Sequence, residues 1–157
     1  MGKVFEDEFM ELQSGLIALC LEALGKIKAD KIYAYASIEK KSSSFNAFFN
    51  IGGQVKMLHE TSIPDDTQWD LLGVGGNDLE EIRKVCEKYK RPCPTEMKMC
   101  YDVTTGKYQA DYKYDPVCGA ETGICSDDIF DAWVDEMKQD EKQDEQNSKW
   151  RKWFGRG

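Results

Sequence analysis

The stretch MKMCYDVTTGKYQADYKYD, residues 97–115, leaves the chain around it few options. Met97, Met99, Tyr101 and Val103 fall on one side of an extended backbone, and Tyr108, Ala110, Tyr112 and Tyr114 on one side of a second. Lys98, Asp102, Gln109, Asp111, Lys113 and Asp115 alternate with them. A period of two marks a half-buried strand, so the stretch predicts a hairpin. Thr104-Thr105-Gly106-Lys107 supplies the reversal, with Gly106 free to take the positive φ of a short loop. A hairpin alone is marginal in water, so other parts of the chain must cover its apolar side.

The cover is written on both flanks. Residues 4–24 carry Phe5, Phe9, Leu12, Leu16, Leu19 and Ala23 at spacings of three and four, widened by Ile17, Cys20 and Leu24. That is an amphipathic helix with one broad buried side, stopped at Gly25. Residues 31–39, KIYAYASIE, alternate again, and FNAFFNIGGQVKML at 45–58 reads as a second strand. Gly52-Gly53 breaks it, as a bulge or as a hairpin turn into a short third strand at 54–58. Residues 60–76 read as connecting chain, with a turn at Ile63-Pro64-Asp65-Asp66 and Trp69, Leu71 and Leu72 anchoring it to the core. Asn77 or Asp78 then caps a helix on Leu79, Ile82, Val85, Cys86 and Tyr89, which Pro92 and Pro94 end. After the hairpin, residues 116–125 form a loop. Ser126 caps a third helix that buries Ile129, Phe130, Trp133, Val134 and Met137.

The order helix, two or three strands, helix, two strands, helix predicts an α+β fold: one antiparallel sheet of four to five strands with helices packed on its apolar face. The 157 residues suffice for one domain with a real core. We place it at 1–140 and treat 141–157 as a charged tail that either extends the last helix or frays. The first residues are acidic and lack an apolar run, so no secretory signal is expected. Nor does any run approach the ~20 apolar residues that span a bilayer. The expected location is the cytoplasm.

Chemistry-bearing motifs are sparse. The six cysteines at 20, 86, 93, 100, 118 and 125 include no Cys-x-x-Cys, and His59 is the single histidine. Their spacing fits no zinc site, and buried free thiols are the plain reading. No metal or cofactor is expected. The Gly52-Gly53 pair matches no phosphate-binding loop. A cysteine–His59 pair or paired carboxylates define the alternative reading, a small hydrolase. A second alternative is a general protein-binding scaffold.

Charge is the stronger signal. The chain carries a net charge of −8, which opposes phosphate binding and favours basic partners. Residues 111–146 hold twelve acidic side chains against three lysines, so this segment contains the whole imbalance. The last residues, KWRKWFGRG, switch to basic and aromatic, with too few charges to anchor stably to a membrane. A solvated helix face is the plain account of the acids. A surface for a basic protein is the sharper one, because rings anchor while charge steers.

The order of KIYAYASIE, the aromatic strand FNAFFNIGG, a helix, TTGKYQADYKYD and an acidic aromatic helix resembles the YezG-type antitoxin family of bacterial polymorphic toxin systems. The resemblance covers residues 28–137 and is densest at GKYQADYKYDPV. The loop at 118–125 and the basic tail depart from it. The resemblance implies a cytoplasmic, non-enzymatic immunity protein that neutralises a cognate toxin, with a basic nuclease-type domain as the partner that acidity suits. The expected contact residues are Asp111, Asp115, Asp127, Asp128, Asp131, Asp135 and Glu136 for charge, with Tyr112 and Tyr114 as anchors and Lys113 between them. The period-two pattern puts both tyrosines on the core side. If that side is fully covered, Asp111, Lys113 and Asp115 carry the contact. Free of toxin, a monomer or homodimer is expected, with no nucleic acid or membrane as partner.

Overall fold

A computed structural model describes residues 4–40, 42–118 and 122–154, with 144–154 described as backbone only. Glu121 and the side chains of Asp144, Glu145 and the basic aromatic tail therefore lie outside the described residues. The elements are α1 (Phe5–Leu24), β1 (Lys31–Ile38), β2 (Ser43–Ile51), β3 (Gln54–Met57), α2 (Asp65–Lys88), β4 (Glu96–Asp102), β5 (Tyr108–Lys113) and α3 (Ser126–Phe154). The five strands form one sheet in the order β3-β2-β1-β4-β5, with every neighbouring pair antiparallel. The fold is α+β, and Gly52-Gly53 is a hairpin turn with both residues at positive φ.

Helices cover both faces of the sheet, not one. Ile32, Ala34, Ala36 and Ile38 of β1 face α1 and α2 and join Leu16, Cys20, Leu79 and Ile82 in the larger core. Tyr33 and Tyr35, one residue out of phase, face α3 and pack with Phe48, Val55, Phe130, Trp133 and Val134. Tyr33 and Phe48 stack at 4.4 Å, and the Trp133 ring stands edge-on to Phe48 at 4.9 Å. The alternation in β1 is thus between aliphatic and aromatic sides, each with its own helical cover. A central strand buried on both faces is the result.

The second helix starts twelve residues before the expected Asn77, so residues 65–76 are not connecting chain. Pro64 sits at the N-cap, and Asp65 and Asp66 occupy the first turn, where the helix dipole favours negative charge. Gly73, Gly75 and Gly76, residues that disfavour a helix interior, lie inside it. Gly75 has a packing reason: a Cβ there would stand 2.2 Å from Cδ1 of Phe45 on β2. The missing side chain lets a buried aromatic ring lie against the helix backbone. Leu71 is buried as expected, but Trp69 is 75% exposed and anchors nothing.

Candidate functional site

The hairpin of residues 97–115 forms as read, with its second strand at the edge of the sheet. Asp102 Oδ1 accepts the N–H groups of Thr104 and Thr105 at 3.0 and 3.1 Å, and Gly106 takes φ +76° and donates its N–H to the Asp102 carbonyl. The side chain that opens the turn also satisfies the main chain within it. Asp102 N–H donates to the Lys107 carbonyl at 2.8 Å, which sets the phase of the ladder. In an antiparallel pair the hydrogen-bonding direction alternates. Gln109, Asp111 and Lys113 therefore bond inward to β4, while the main-chain groups of Tyr108, Ala110 and Tyr112 point out of the sheet edge.

Side chains of β5 divide between the two faces. Tyr108, Ala110 and Tyr112 lie on the α1 side. Both phenol groups meet Gln13, a fully buried polar residue of α1. Its Nε2 donates to the Tyr108 hydroxyl, and the Tyr112 hydroxyl donates to its Oε1 at 2.7 Å. Both rings are 37% exposed, and Tyr114, just past the strand, is 55% exposed. Tyr112 and Tyr114 line an apolar groove of 420 Å³ with Phe5, Phe9, Pro92 and Pro94. The expected core side is therefore covered only in part at this edge.

Asp111 and Lys113 lie on the α3 side. Lys113 pairs with Glu96, directly opposite it on β4, Nζ to Oε2 at 3.6 Å. Glu96 is 2% exposed and also accepts the Tyr35 hydroxyl at 2.9 Å. Burial and that carboxylate push the Tyr35 phenol pKa well up, so the hydroxyl stays protonated and donates. Asp115 is exposed, and its carbonyl accepts the Thr95 hydroxyl at 2.6 Å.

Beyond this point Cys118 is pinned to the sheet. Its N–H donates to Glu39 Oε1 at 3.1 Å, and its Sγ lies 3.2 Å from Ser37 Oγ. α3 then begins beside the β1–β2 connection, where Ser44 Oγ donates to Ser126 Oγ at 3.2 Å. Phe130, Trp133 and Val134 turn into the sheet. Asp127, Asp128, Asp131, Asp135 and Glu136 are all exposed. Asp127, Asp131 and Asp135 form one column at i, i+4 spacing, with Asp128 and Glu136 on the adjoining one. Among the described residues none of the five forms an ion pair. Like charges four apart oppose the helix, so this face is held by the aromatic packing beneath it.

The structure thus brings the five α3 acids together and sets Asp111 and Lys113 on the same side of the sheet. It does not bring Tyr112 and Tyr114 to that side. Gln13, Tyr35 and Glu96 escaped the sequence reading. Gln13 left one signal, a polar residue four after Phe9 within the apolar stripe.

For the hydrolase reading, five of the six thiols are poorly disposed, and the sixth, Cys125, is exposed. Burial pushes Cys20 and Cys93 up to about 12 and also raises Cys86, Cys100 and Cys118. The thiolate is the nucleophile, so these groups are held in their unreactive form. His59 is exposed in a single 3₁₀ turn, Leu58–Glu60. Among the described residues, no helix is long and apolar enough to cross a membrane.

No protein-family model matches the chain. It is similar to the immunity protein YezG of Bacillus spizizenii, with 32% identity over 98 residues. The match takes in 59% of this chain and 60% of that protein, so the chain spans less than two thirds of the relative's length. The similarity supports a distant relationship to immunity proteins.

Proposed function

We propose that this chain is a non-enzymatic immunity protein that binds and neutralises a cognate bacterial toxin in the cytoplasm. The observation that carries the reading is the similarity to an immunity protein. The exposed, unpaired acidic face of α3 supports it physically. Five carboxylates on a helix braced by Phe130, Trp133 and Val134 present a fixed negative surface. Such a surface suits a basic toxin domain, and a nuclease-type domain is basic because it grips phosphate. Asp127, Asp128, Asp131, Asp135 and Glu136 make the contact, Asp111 and Lys113 flank it, and Asp115 adds charge beyond the strand end. Tyr112 and Tyr114 face away from it and serve the β5 edge.

The experiment is co-expression with candidate toxin domains, taken first from any toxin-type gene that neighbours this one. The reading expects growth to be protected and the two chains to co-purify. Growth arrest with no complex would overturn it.

A further inference from the structure

β5 ends the sheet, and the main-chain groups of Ala110 and Tyr112 face outward along it. An exposed edge is a template for another strand, and natural sheets guard such edges with charge. The charges here, Asp111 and Lys113, flank Tyr112 symmetrically. We infer that two copies of this chain pair antiparallel through β5, centred on Tyr112, and join their five-stranded sheets into one.

The sequence selects this register over its neighbours. Centred on Tyr112, Asp111 lies opposite Lys113 of the second copy, and Lys113 lies opposite its Asp111. Opposite charges directly across a ladder attract, and like charges repel. The same register sets Tyr114, the most exposed ring of this edge at 55%, across from the small Ala110. Centring on Asp111 would oppose Asp111 to itself. Centring on Lys113 would oppose Lys113 to itself and Asp111 to Asp115. Centring on Ala110 would oppose Lys113 to Lys107. Only the Tyr112-centred pairing has attractive charges on both sides of the axis and main-chain donors and acceptors in phase.

A two-fold axis perpendicular to the sheet keeps each face on its own side. Both α3 helices then lie on one face of the joined sheet with their acids uncovered. The inference stands independently of the toxin reading: it takes Asp111 and Lys113 into the seam and leaves the five α3 acids of the proposed toxin surface free.

The test is the mass of the full chain by light scattering across a dilution series. Wild type is expected at twice 18.0 kDa, falling to one chain on dilution. Asp111→Lys, an exposed change that leaves the Glu96–Lys113 pair intact, is expected to be monomeric throughout. Ala110→Pro removes an outward N–H that β4 does not use, and it too is expected to be monomeric with an unchanged circular dichroism spectrum. Asp127→Lys, on α3, is expected to dimerise as wild type does. A wild-type chain that is monomeric at every concentration would overturn the inference, as would an Asp111→Lys chain that dimerises like wild type. A monomeric wild type that loses toxin capture on Ala110→Pro would also overturn it, and would assign the edge to a strand of the toxin.

Discussion

Glu96 is a carboxylate with almost no solvent, held by one hydroxyl from Tyr35 and one ammonium from Lys113. Leaving a buried acceptor short of a partner costs more than the bond itself is worth. Tyr35→Phe is therefore expected to lower stability by about 1–3 kcal/mol in chemical denaturation, and by less in a Glu96→Gln background. Equal losses in both backgrounds would separate the two residues. Glu80 shows the opposite case, an acid held ionised at the surface. The Ser43 hydroxyl and then the Arg83 guanidinium hold its carboxyl below the ordinary value of 4.5. A carboxyl depressed on folding stabilises the fold fully above its unfolded value, and that stability is lost as pH falls through its folded value. Glu80→Gln is thus expected to lower Tm at neutral pH, with the difference from wild type closing as pH falls below 4.5. A difference that is constant with pH would show that the charge does not matter. Such contacts were not legible in the sequence. Gln13 and Tyr112, or Tyr35 and Glu96, lie far apart along the chain, and periodicity says nothing about which polar groups meet.

Among the elements, the hairpin of residues 97–115 was legible because its period of two is uninterrupted and its turn residues agree with it. α1 was legible for the same reason at helical spacing. The first half of α2 was not, because Gly73, Gly75 and Gly76 read as breakers when helix propensity alone is counted. Packing overrides propensity here: the ring of Phe45 fills the place of a side chain at Gly75. Replacing an interior helical glycine by alanine ordinarily gains about 0.5–1 kcal/mol. Gly75→Ala is instead expected to cost about 1–3 kcal/mol, since Phe45 is buried and the added Cβ would meet its Cγ at 2.6 Å as well as its Cδ1. Denaturation of Gly75→Ala decides the matter, and a stabilised variant would refute the packing account. The same change at Gly73, where a Cβ meets nothing, serves as the control.

At the scale of the molecule, the sheet divides the protein into two cores. The side under α1 and α2 is mainly aliphatic, with Phe9, Phe45 and Phe49 among its members, and the side under α3 is a cluster of aromatic rings. A single covered face was the simpler reading of β1. It fell short because tyrosine has a polar tip and an apolar body, and the pattern alone does not say which of these is buried. The acidic segment was legible as composition, and the structure turns it into a geometry: five exposed carboxylates on the outer face of α3. Tyr112 and Tyr114 interleave with the acids along the chain but not in space. A strand sends neighbouring residues to opposite faces, so Asp111 and Tyr112 serve different surfaces.

The most direct measurement of the central claim is the affinity between this chain and a toxin domain that co-purifies with it, for wild type and for Asp127→Lys/Asp131→Lys/Asp135→Lys, at low and high salt. The acidic-face account predicts that the triple variant associates far more slowly and binds more weakly, with the gap narrowing as salt screens the field. A triple variant that folds and binds that toxin as wild type does, at every salt concentration, would contradict it.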